Sequence, residues 1–344
     1  MNAARIHDGL NYLSKLTMRR MFNVLRTLFS FYWSRLTGNV KHPGFPVSIS
    51  IEPTTACNLG CPECPSGLKM FSRNTGNIRK EELHNWLNEL SPCTTYVNFY
   101  FQGEPFIHPD FPDLIEMAAA KRLYSSTSTN AHFITDEMAV SIVKSGLDRL
   151  IISIDGITQE VYEQYRVHGK LNKVLEGTRH MVAARKSLRS RKPFLIFQFL
   201  VVRHNEHQIE GVKRLAADLG VDEVRFKTAQ VYDYEKGNPL IPLNTRYSRY
   251  QKTLDGSYRV KSSLDNHCWR LWSGAVITWD GKVVPCCFDK DATHQLGDLR
   301  SNRFSEIWNG QAYRSFREKL LVSRKEIDIC SNCSEGTKVW ITEA

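Results

Sequence analysis

From Val47 onward the sequence alternates between short β-rich runs and amphipathic segments with helical periodicity. This alternation predicts a parallel α/β sheet whose strands are joined by helical crossovers. The strand candidates are 47–51, 96–101, 124–128, 149–154, 194–202 and 222–227, and the helix candidates between them include 78–90, 136–144, 171–186 and 208–219. In parallel barrels the chemistry lies at the carboxyl ends of the strands, so functional residues are expected directly after these runs.

Residues 9–36 precede the alternating region and predict one amphipathic helix that ends at Gly38. Its apolar face carries Leu10, Leu13, Met21, Val24, Leu25, Leu28, Phe31 and Tyr32, and its polar face carries Lys15, Arg19, Asn23, Arg26 and Ser30. We expect the apolar face to pack on the barrel. Because the polar face is basic and the apolar face includes aromatic residues, the alternative is attachment to an anionic membrane surface.

The composition is that of an ordinary globular protein, since 42% of the 344 residues are hydrophobic and 24% are charged. No stretch reaches the roughly 18 apolar residues of a membrane span, and no secretory signal is evident. The net charge of +10 indicates an acidic partner, such as a phosphorylated substrate, anionic lipid or nucleic acid. Nucleic acid is not expected among these, because no RNA-binding appendage is recognisable.

The nine cysteines fall into a triplet, a lone Cys93 and a C-terminal set. An odd number grouped in this way favours metal or cluster binding in a reducing compartment, and we therefore expect a cytoplasmic protein. The triplet, Cys57, Cys61 and Cys64, directly follows the first strand candidate. Three thiolates can hold three irons of a cubane cluster, which leaves the fourth iron open. Zinc is the alternative, but zinc ribbons favour C-x2-C pairs and four ligands.

The triplet resembles the signature of the radical S-adenosylmethionine (radical SAM) superfamily. The resemblance covers about residues 47–230 and implies a partial (β/α)6 barrel. In that family, the amino and carboxylate groups of SAM bind the open iron of a [4Fe-4S] cluster. Reduction then cleaves SAM to a 5′-deoxyadenosyl radical, which abstracts hydrogen from the substrate. Glu63 departs from the family pattern, because an aromatic residue near the adenine is usual at this position.

Gly103, Glu104 and Pro105 follow the second strand candidate and, with Gln102, are similar to the Gly-Gly-Glu-Pro motif of the family. The resemblance implies that these residues contact the amino group of SAM. Glu104 suits this role, because a carboxylate accepts hydrogen bonds from an ammonium group. The alternative is an ordinary turn.

Further residues near strand ends resemble family contacts to the ribose or carboxylate of SAM. They are Thr129, Asn130, Ser153 and Asp155, together with Arg166, which stands where related enzymes often place a basic side chain. Hydroxyl, amide and carboxylate groups can bond ribose hydroxyls, but they are also common in turns. For Arg166 the alternative is a solvated side chain at a helix end.

Cys268, Cys286, Cys330 and Cys333 form the C-terminal set and can complete one metal site. Over about residues 262–337 the sequence resembles the SPASM/Twitch auxiliary-cluster domains of radical SAM enzymes. Four cysteines fit one auxiliary [4Fe-4S] cluster, as in the shorter Twitch form and in the aminocyclitol dehydrogenases of the superfamily. A structural zinc site closed by the C-x2-C pair is the alternative.

Two residues beside this set are catalytic candidates. Cys287, next to Cys286, is either a buried neutral thiol or a hydrogen-atom donor to a substrate radical. Asp289 lies close to the point where oxidative members of the family place a carboxylate base, although their Asp directly follows the cysteine. Such a base would take a proton as a substrate radical is oxidised.

The expected organisation is an N-terminal amphipathic helical segment (1–46), a core barrel (47–230), a linker (231–261) and a SPASM/Twitch-like domain (262–344). The resemblance favours oxidation of a small polar substrate, such as dehydrogenation of a sugar or aminocyclitol, with a flavodoxin- or ferredoxin-like electron donor. Peptide-maturing relatives often carry a longer segment before the barrel, and maturation of a ribosomal peptide by cross-linking or epimerisation is the alternative. A zinc- or cluster-bearing binding protein is the alternative from another class.

Overall fold

The computed structural model describes residues 3–334 and 340–341. Its helices are α1 (Ala3–Ser14), α2 (Met18–Thr37), α3 (Pro65–Leu68), α4 (Lys80–Leu90), α5 (Phe111–Ala120), α6 (Asp136–Lys144), α7 (Gln159–Tyr165), α8 (Leu171–Ser187), α9 (Ile209–Leu219), α10 (Trp269–Ser273), α11 (Phe304–Asn309), α12 (Gln311–Ser323) and α13 (Asp328–Ser331). Its strands are β1 (Ser48–Ile51), β2 (Tyr96–Asn98), β3 (Tyr124–Thr129), β4 (Arg149–Ser153), β5 (Phe194–Val201), β6 (Glu223–Thr228), β7 (Tyr250–Lys252), β8 (Tyr258–Val260), β9 (Gly274–Ile277), β10 (Lys282–Val284), β11 (Gly297–Asp298) and β12 (Trp340–Ile341).

The strands β1 to β6 lie side by side in chain order, and every neighbouring pair is parallel. All six strand candidates are confirmed, although β2 ends at Asn98 rather than at 101. The crossover helices bury apolar side chains in the same core as the strands; α4, for example, contributes Leu83, Trp86 and Leu87. The predicted partial (β/α)6 barrel is therefore confirmed.

The C-terminal region continues the barrel sheet, which the sequence did not predict. Strand β9 pairs in parallel with β1, from Ser48 opposite Gly274 to Ile51 opposite Ile277. Strands β10 and β11 then extend this edge with antiparallel pairing, while β12 pairs antiparallel with β6 at the other edge. Both outer barrel strands are thereby covered by later parts of the chain, which fixes the C-terminal region against the barrel.

The N-terminal segment forms two helices, so the prediction of one helix over 9–36 is wrong. The last turn of α1 closes with a bond from the Lys15 amide to the Tyr12 carbonyl, at 3.1 Å. Thr17 then caps α2, because its hydroxyl accepts a bond from the Arg20 amide. The predicted end at Gly38 is confirmed, since this residue closes α2 in the left-handed region at φ 71°.

These helices do not bury most of the apolar face that the sequence predicted. In α2 the residues Asn23 and Ser30 from the predicted polar face are buried. Leu25 from the predicted apolar face is 62% exposed, and Leu10 in α1 is 60% exposed. Phe31 is buried, as predicted, beside the aromatic residues of α10. None of the described helices has the length and apolar composition needed to cross a bilayer.

Candidate active site

The cysteine triplet lies in the loop that follows β1, at the carboxyl end of the barrel. The loop is held by a bond from the Cys64 amide to the Cys61 carbonyl at 3.1 Å, and by one from the Gly60 amide to the Val167 carbonyl at 3.0 Å. All three cysteines line a cavity of about 550 Å³. A cavity of this size suits a small cofactor together with part of a substrate.

The same cavity collects residues from the ends of all six parallel strands. The predicted site residues that line it are Cys57, Cys61, Cys64, Gly103, Glu104, Thr129, Asn130, Ser153, Arg166 and Cys287. The predicted residues Pro105, Asp155 and Asp289 do not line it, and the four C-terminal cysteines lie elsewhere. Parallel strands end at one edge of a sheet, and for this reason motifs far apart in the sequence meet here.

Glu104 is the buried acid of this cavity. Its Oε1 accepts a bond from the Thr129 hydroxyl at 2.6 Å, and its Oε2 accepts one from the Asn130 amide at 2.7 Å. Burial raises the pKa of Glu104 to about 7, although these hydrogen bonds act in the opposite direction. An incoming cation, such as an ammonium group, would stabilise the ionised form of this buried carboxylate.

Gly103 and Pro105 shape the backbone around this acid. Gly103 has a φ of 76°, and a Cβ at this position would stand 2.3 Å from the carbonyl oxygen of Thr54. The close approach to the end of β1 therefore requires glycine. Pro105 begins a short 3₁₀ turn that Glu104 caps by accepting a bond from the Phe106 amide at 3.2 Å.

Arg166 faces the cysteine triplet rather than solvent. Its Nε donates to Oδ2 of Asp155 at 2.5 Å, and its Nη1 lies 3.8 Å from the sulfur of Cys61. The other oxygen of Asp155 accepts a bond from the Leu200 amide at 2.7 Å, so the carboxylate holds Arg166 in place and does not reach the cavity. Burial raises the pKa of the Cys61 thiol, while the positive charge of Arg166 lowers it.

The C-terminal cysteines line a second cavity, which is small and apolar. Cys268, Cys286, Cys330 and Cys333 share this space of about 20 Å³. Its remaining lining is largely apolar, from Leu271, Pro285, Phe288, Phe316, Leu320 and Ile329. Burial raises the pKa of Cys330 to about 12, so this thiol stays protonated until a metal binds.

An iron–sulfur cluster and a single metal ion require different spacings of their ligands. Among residues 3–334, no group of three or more His, Cys, Asp or Glu side chains could hold a metal ion. In a cubane cluster each thiolate binds a different iron, so cluster ligands stand farther apart than the ligands of one ion. Three cysteines beside the large cavity fit a cluster with one open iron, and four around the small apolar cavity fit a cluster whose irons are all bound by the protein.

The two catalytic candidates have different positions. Cys287 is exposed and lines the large cavity, so the expectation that it is a buried thiol is wrong. Asp289 is buried and closes a turn: one carboxylate oxygen accepts bonds from the amide and hydroxyl of Thr293, and the other from the His294 amide at 2.9 Å. The structure therefore brings Cys287, and not Asp289, to the cavity that the predicted cofactor-binding residues line.

Four cationic side chains of the cavity were not found from the sequence. They are Lys227, Arg249, Arg270 and Lys290. Burial, reinforced by the three arginine and lysine neighbours, lowers the pKa of Lys227 to about 8. Of these four, only Lys227 could have been proposed from the sequence, because it ends the last strand candidate. The other three belong to no motif.

A parallel six-stranded barrel with an open cysteine triplet, joined to a second cysteine set that encloses its own cavity, defines a radical SAM enzyme with an auxiliary iron–sulfur domain. Residues 51–216 match the model of the radical SAM superfamily, and residues 268–334 match that of the SPASM iron–sulfur cluster-binding domain. The chain belongs to the radical SAM superfamily and carries a C-terminal SPASM domain. Its cofactors are SAM and a [4Fe-4S] cluster, together with auxiliary iron–sulfur clusters in the SPASM domain.

Two curated relatives match most of the chain. The tungsten-containing aldehyde ferredoxin oxidoreductase cofactor-modifying protein of Pyrococcus furiosus is 24% identical over 312 residues, which are 83% of this chain and 86% of that protein. The PqqA peptide cyclase of Gluconobacter oxydans is 25% identical over 322 residues, 87% of this chain and 85% of the cyclase.

Two solved structures share the fold. BtrN in complex with AdoMet and 2-DOIA has a TM-score of 0.51 at 18% identity, and covers 85% of this chain and 94% of its own. Streptococcus suis SuiB bound to S-adenosylmethionine has a TM-score of 0.63 at 13% identity, and covers 89% of this chain and 75% of its own.

Proposed function

We propose that this enzyme oxidises a substrate held between its two cysteine sets. The observation that carries the proposal is the placement of Cys286 and Cys287. Cys287 lines the cavity that holds the triplet, whereas Cys286 lines the small apolar cavity of the second set. A substrate in the large cavity would thus lie next to both sites. This placement supports loss of a hydrogen atom to the SAM-derived radical on one side and of an electron to the auxiliary cluster on the other, with the accompanying proton passing to solvent.

In this proposal the cofactors supply the radical and the electron acceptor, and the chain binds and orients the reactants. Cys57, Cys61 and Cys64 hold the first cluster, and Glu104 accepts bonds from the amino group of SAM. The remaining cavity contacts to SAM come from Gly103, Thr129, Asn130, Ser153 and Arg166. Cys268, Cys286, Cys330 and Cys333 hold one auxiliary [4Fe-4S] cluster.

The charge of the cavity supports a substrate with acidic groups. The cationic side chains that line it include Lys227, Arg249, Arg270 and Lys290. Glu63 also lines the cavity, but its carboxylate accepts a hydrogen bond from the Tyr232 amide at 3.1 Å. A carboxylate or phosphate binds to such side chains with charge-assisted hydrogen bonds. Among small polar substrates, this favours an acidic or phosphorylated sugar over a cationic aminocyclitol.

Maturation of a ribosomal peptide is the second candidate. It is supported by the similarity to PqqA peptide cyclase and by the fold shared with SuiB, which has been solved with its precursor peptide SuiA. The exposure of Cys287 in the cavity favours epimerisation within this candidate, because a thiol there can return a hydrogen atom to a substrate radical. A flavodoxin- or ferredoxin-like donor in the cytoplasm would reduce the first cluster in either case.

The first test is formation of 5′-deoxyadenosine by reduced, anaerobically reconstituted protein, beside the Cys61→Ala variant. We expect about eight irons per chain in the parent and cofactor cleavage in the parent alone. Cleavage that persists in the variant would refute the assignment of the triplet. Zinc in place of iron, with no cleavage by either protein, would instead indicate a metal-bearing binding protein.

The second test separates oxidation from epimerisation. Sugar acids, sugar phosphates and candidate peptides are incubated in deuterated water with the parent and with Cys287→Ala. An oxidation gives a product two hydrogens lighter without solvent deuterium, and the variant keeps this activity. Incorporation of one deuterium that the variant loses would refute oxidation and establish Cys287 as the hydrogen donor.

A further inference from the structure

The helix α2 exposes a continuous apolar stripe. Met18, Phe22, Leu25, Phe29, Trp33 and Leu36 recur at spacings of three or four residues and are between 38% and 84% exposed. Helical residues at these spacings lie on one face. Large contiguous apolar surfaces are uncommon on proteins that have no partner, so this stripe indicates an interaction surface.

Polar contacts to the barrel fix the orientation of the stripe. Arg20, which is 3% exposed, donates to the carbonyl oxygens of Ser91 at 2.8 Å and Lys121 at 2.9 Å. Asn23 donates to the Phe45 carbonyl at 2.9 Å and accepts from the Phe45 amide at 2.7 Å. Rotating the helix to bury the stripe would break these bonds inside the protein, so the apolar face stays outward.

Polar contacts to the barrel also fix the orientation of α1. Its Asp8 is bonded to Tyr124 and Arg149, and its Asn11 donates to Oδ1 of Asp148 at 2.9 Å. The residues that anchor the two helices lie a few residues before barrel strands: Phe45 lies before β1, Ser91 before β2, and Asp148 directly before β4. Both helices therefore cover the amino end of the barrel, opposite the large cavity.

The charge beside the stripe is positive and favours an anionic partner. Arg19, Arg26 and Arg35 are exposed on α2, and no Asp or Glu occurs between residues 9 and 51. A second copy of this chain would bring these arginines against one another, which is unfavourable, whereas an anionic lipid surface would pair with them. Tyr32 and Trp33 add the aromatic side chains that favour the membrane interface.

We propose that α1 and α2 bind an anionic membrane surface, with the stripe inserted among the lipid headgroups and the arginines paired with their charges. This attachment is interfacial, consistent with the absence of a bilayer-spanning helix among the described residues. Because the helices cover the amino end of the barrel, the large cavity faces away from the membrane and takes its substrate from the aqueous side. The proposal is independent of the reaction proposed above.

The test uses the full reconstituted protein and sedimentation with phosphatidylcholine vesicles, with and without phosphatidylglycerol. We expect binding only to the anionic vesicles and a loss with rising salt. Leu25→Glu combined with Phe29→Glu should weaken vesicle binding by at least about tenfold, because two inserted side chains are lost. Formation of 5′-deoxyadenosine should be unchanged, since the stripe does not contact the cavity.

A matched control carries the same charge change elsewhere. Leu243→Glu combined with Leu254→Glu alters two exposed leucines away from α2 and should bind like the parent. Replacing Arg19 and Arg26 by Gln should weaken anionic binding by about fivefold per arginine. No binding by the parent, equal binding to neutral vesicles, or unchanged binding of the Leu25 and Phe29 variant would each overturn the proposal. A dimer that dissociates in that variant, without vesicle binding, would assign the stripe to a second copy instead.

Discussion

The two cysteine sites differ in the size and polarity of the space beside them. The triplet stands on the wall of a cavity of about 550 Å³ lined by hydroxyl, amide and charged groups, whereas the C-terminal four surround an apolar space of about 20 Å³. Each site has an arginine beside one sulfur: Arg166 lies 3.8 Å from Cys61, and Arg324 lies 3.4 Å from Cys333. The first, here called the open site, has room for reactants beside three thiols, whereas the second, the closed site, has the four thiols that a complete cluster requires.

The largest effect is expected from removing one cysteine of the closed site. Cys330→Ala should lower the iron content from about eight to about four per chain and abolish formation of an oxidised product. Formation of 5′-deoxyadenosine should persist, because the triplet is unchanged. Iron analysis, product analysis and circular dichroism check this expectation; loss of cofactor cleavage in a folded variant would show that the two sites do not act separately.

A smaller effect is expected at the acid of the open site. Glu104→Gln should weaken SAM binding by about ten- to a hundredfold, because a charge-assisted hydrogen bond to the ammonium group is lost. With a pKa of about 7, Glu104 is protonated at lower pH. The affinity of the parent should therefore fall as the pH drops below about 7, by up to about tenfold per pH unit.

Calorimetry of SAM binding between mildly acidic and mildly alkaline pH measures both effects. The variant should show little pH dependence in this range, since the titrating group is gone. A parent whose affinity is flat across neutral pH would contradict the role of Glu104 as the partner of the amino group.

The arginine of the closed site should tune its potential. Arg324→Gln removes a positive charge beside Cys333 and should lower the reduction potential of the auxiliary cluster by on the order of tens of millivolts. Arg324→Lys keeps the charge and should shift it less. Redox titration followed by electron paramagnetic resonance measures the shift; an equal change in both variants would mean that geometry, rather than charge, sets the potential.

The smallest effect on activity is expected at Asp289, in the segment between the two sites. Asp289→Asn weakens the turn closed by Thr293 and His294 and should lower the free energy of unfolding by about 1–3 kcal/mol. Turnover per folded molecule should change less than about twofold. Thermal unfolding and product assays test this; a large loss of turnover at unchanged stability would restore Asp289 as the catalytic base.

The sequence predicted the barrel and much of the open site. Strand and helix periodicities are local signals, and all six strand candidates were confirmed for that reason. The motifs at Cys57 and Glu104 were located by spacing and position after a strand, and the structure places both in one cavity. Lys290 and Arg249 were not predicted to line the cavity, because no local sequence pattern distinguishes a cavity-lining cation from a solvated one.

By itself, the sequence determined the class of cofactor and the order of the elements, because thiol spacing and hydrophobic period are properties of neighbouring residues. The tertiary structure decided which way each side chain points. It buried Arg20 and Asn23 of α2, because backbone carbonyls at the amino end of the barrel accept hydrogen bonds from them. It also opened Cys287 to the cavity and turned Asp289 away, since both depend on how the C-terminal strands join the barrel.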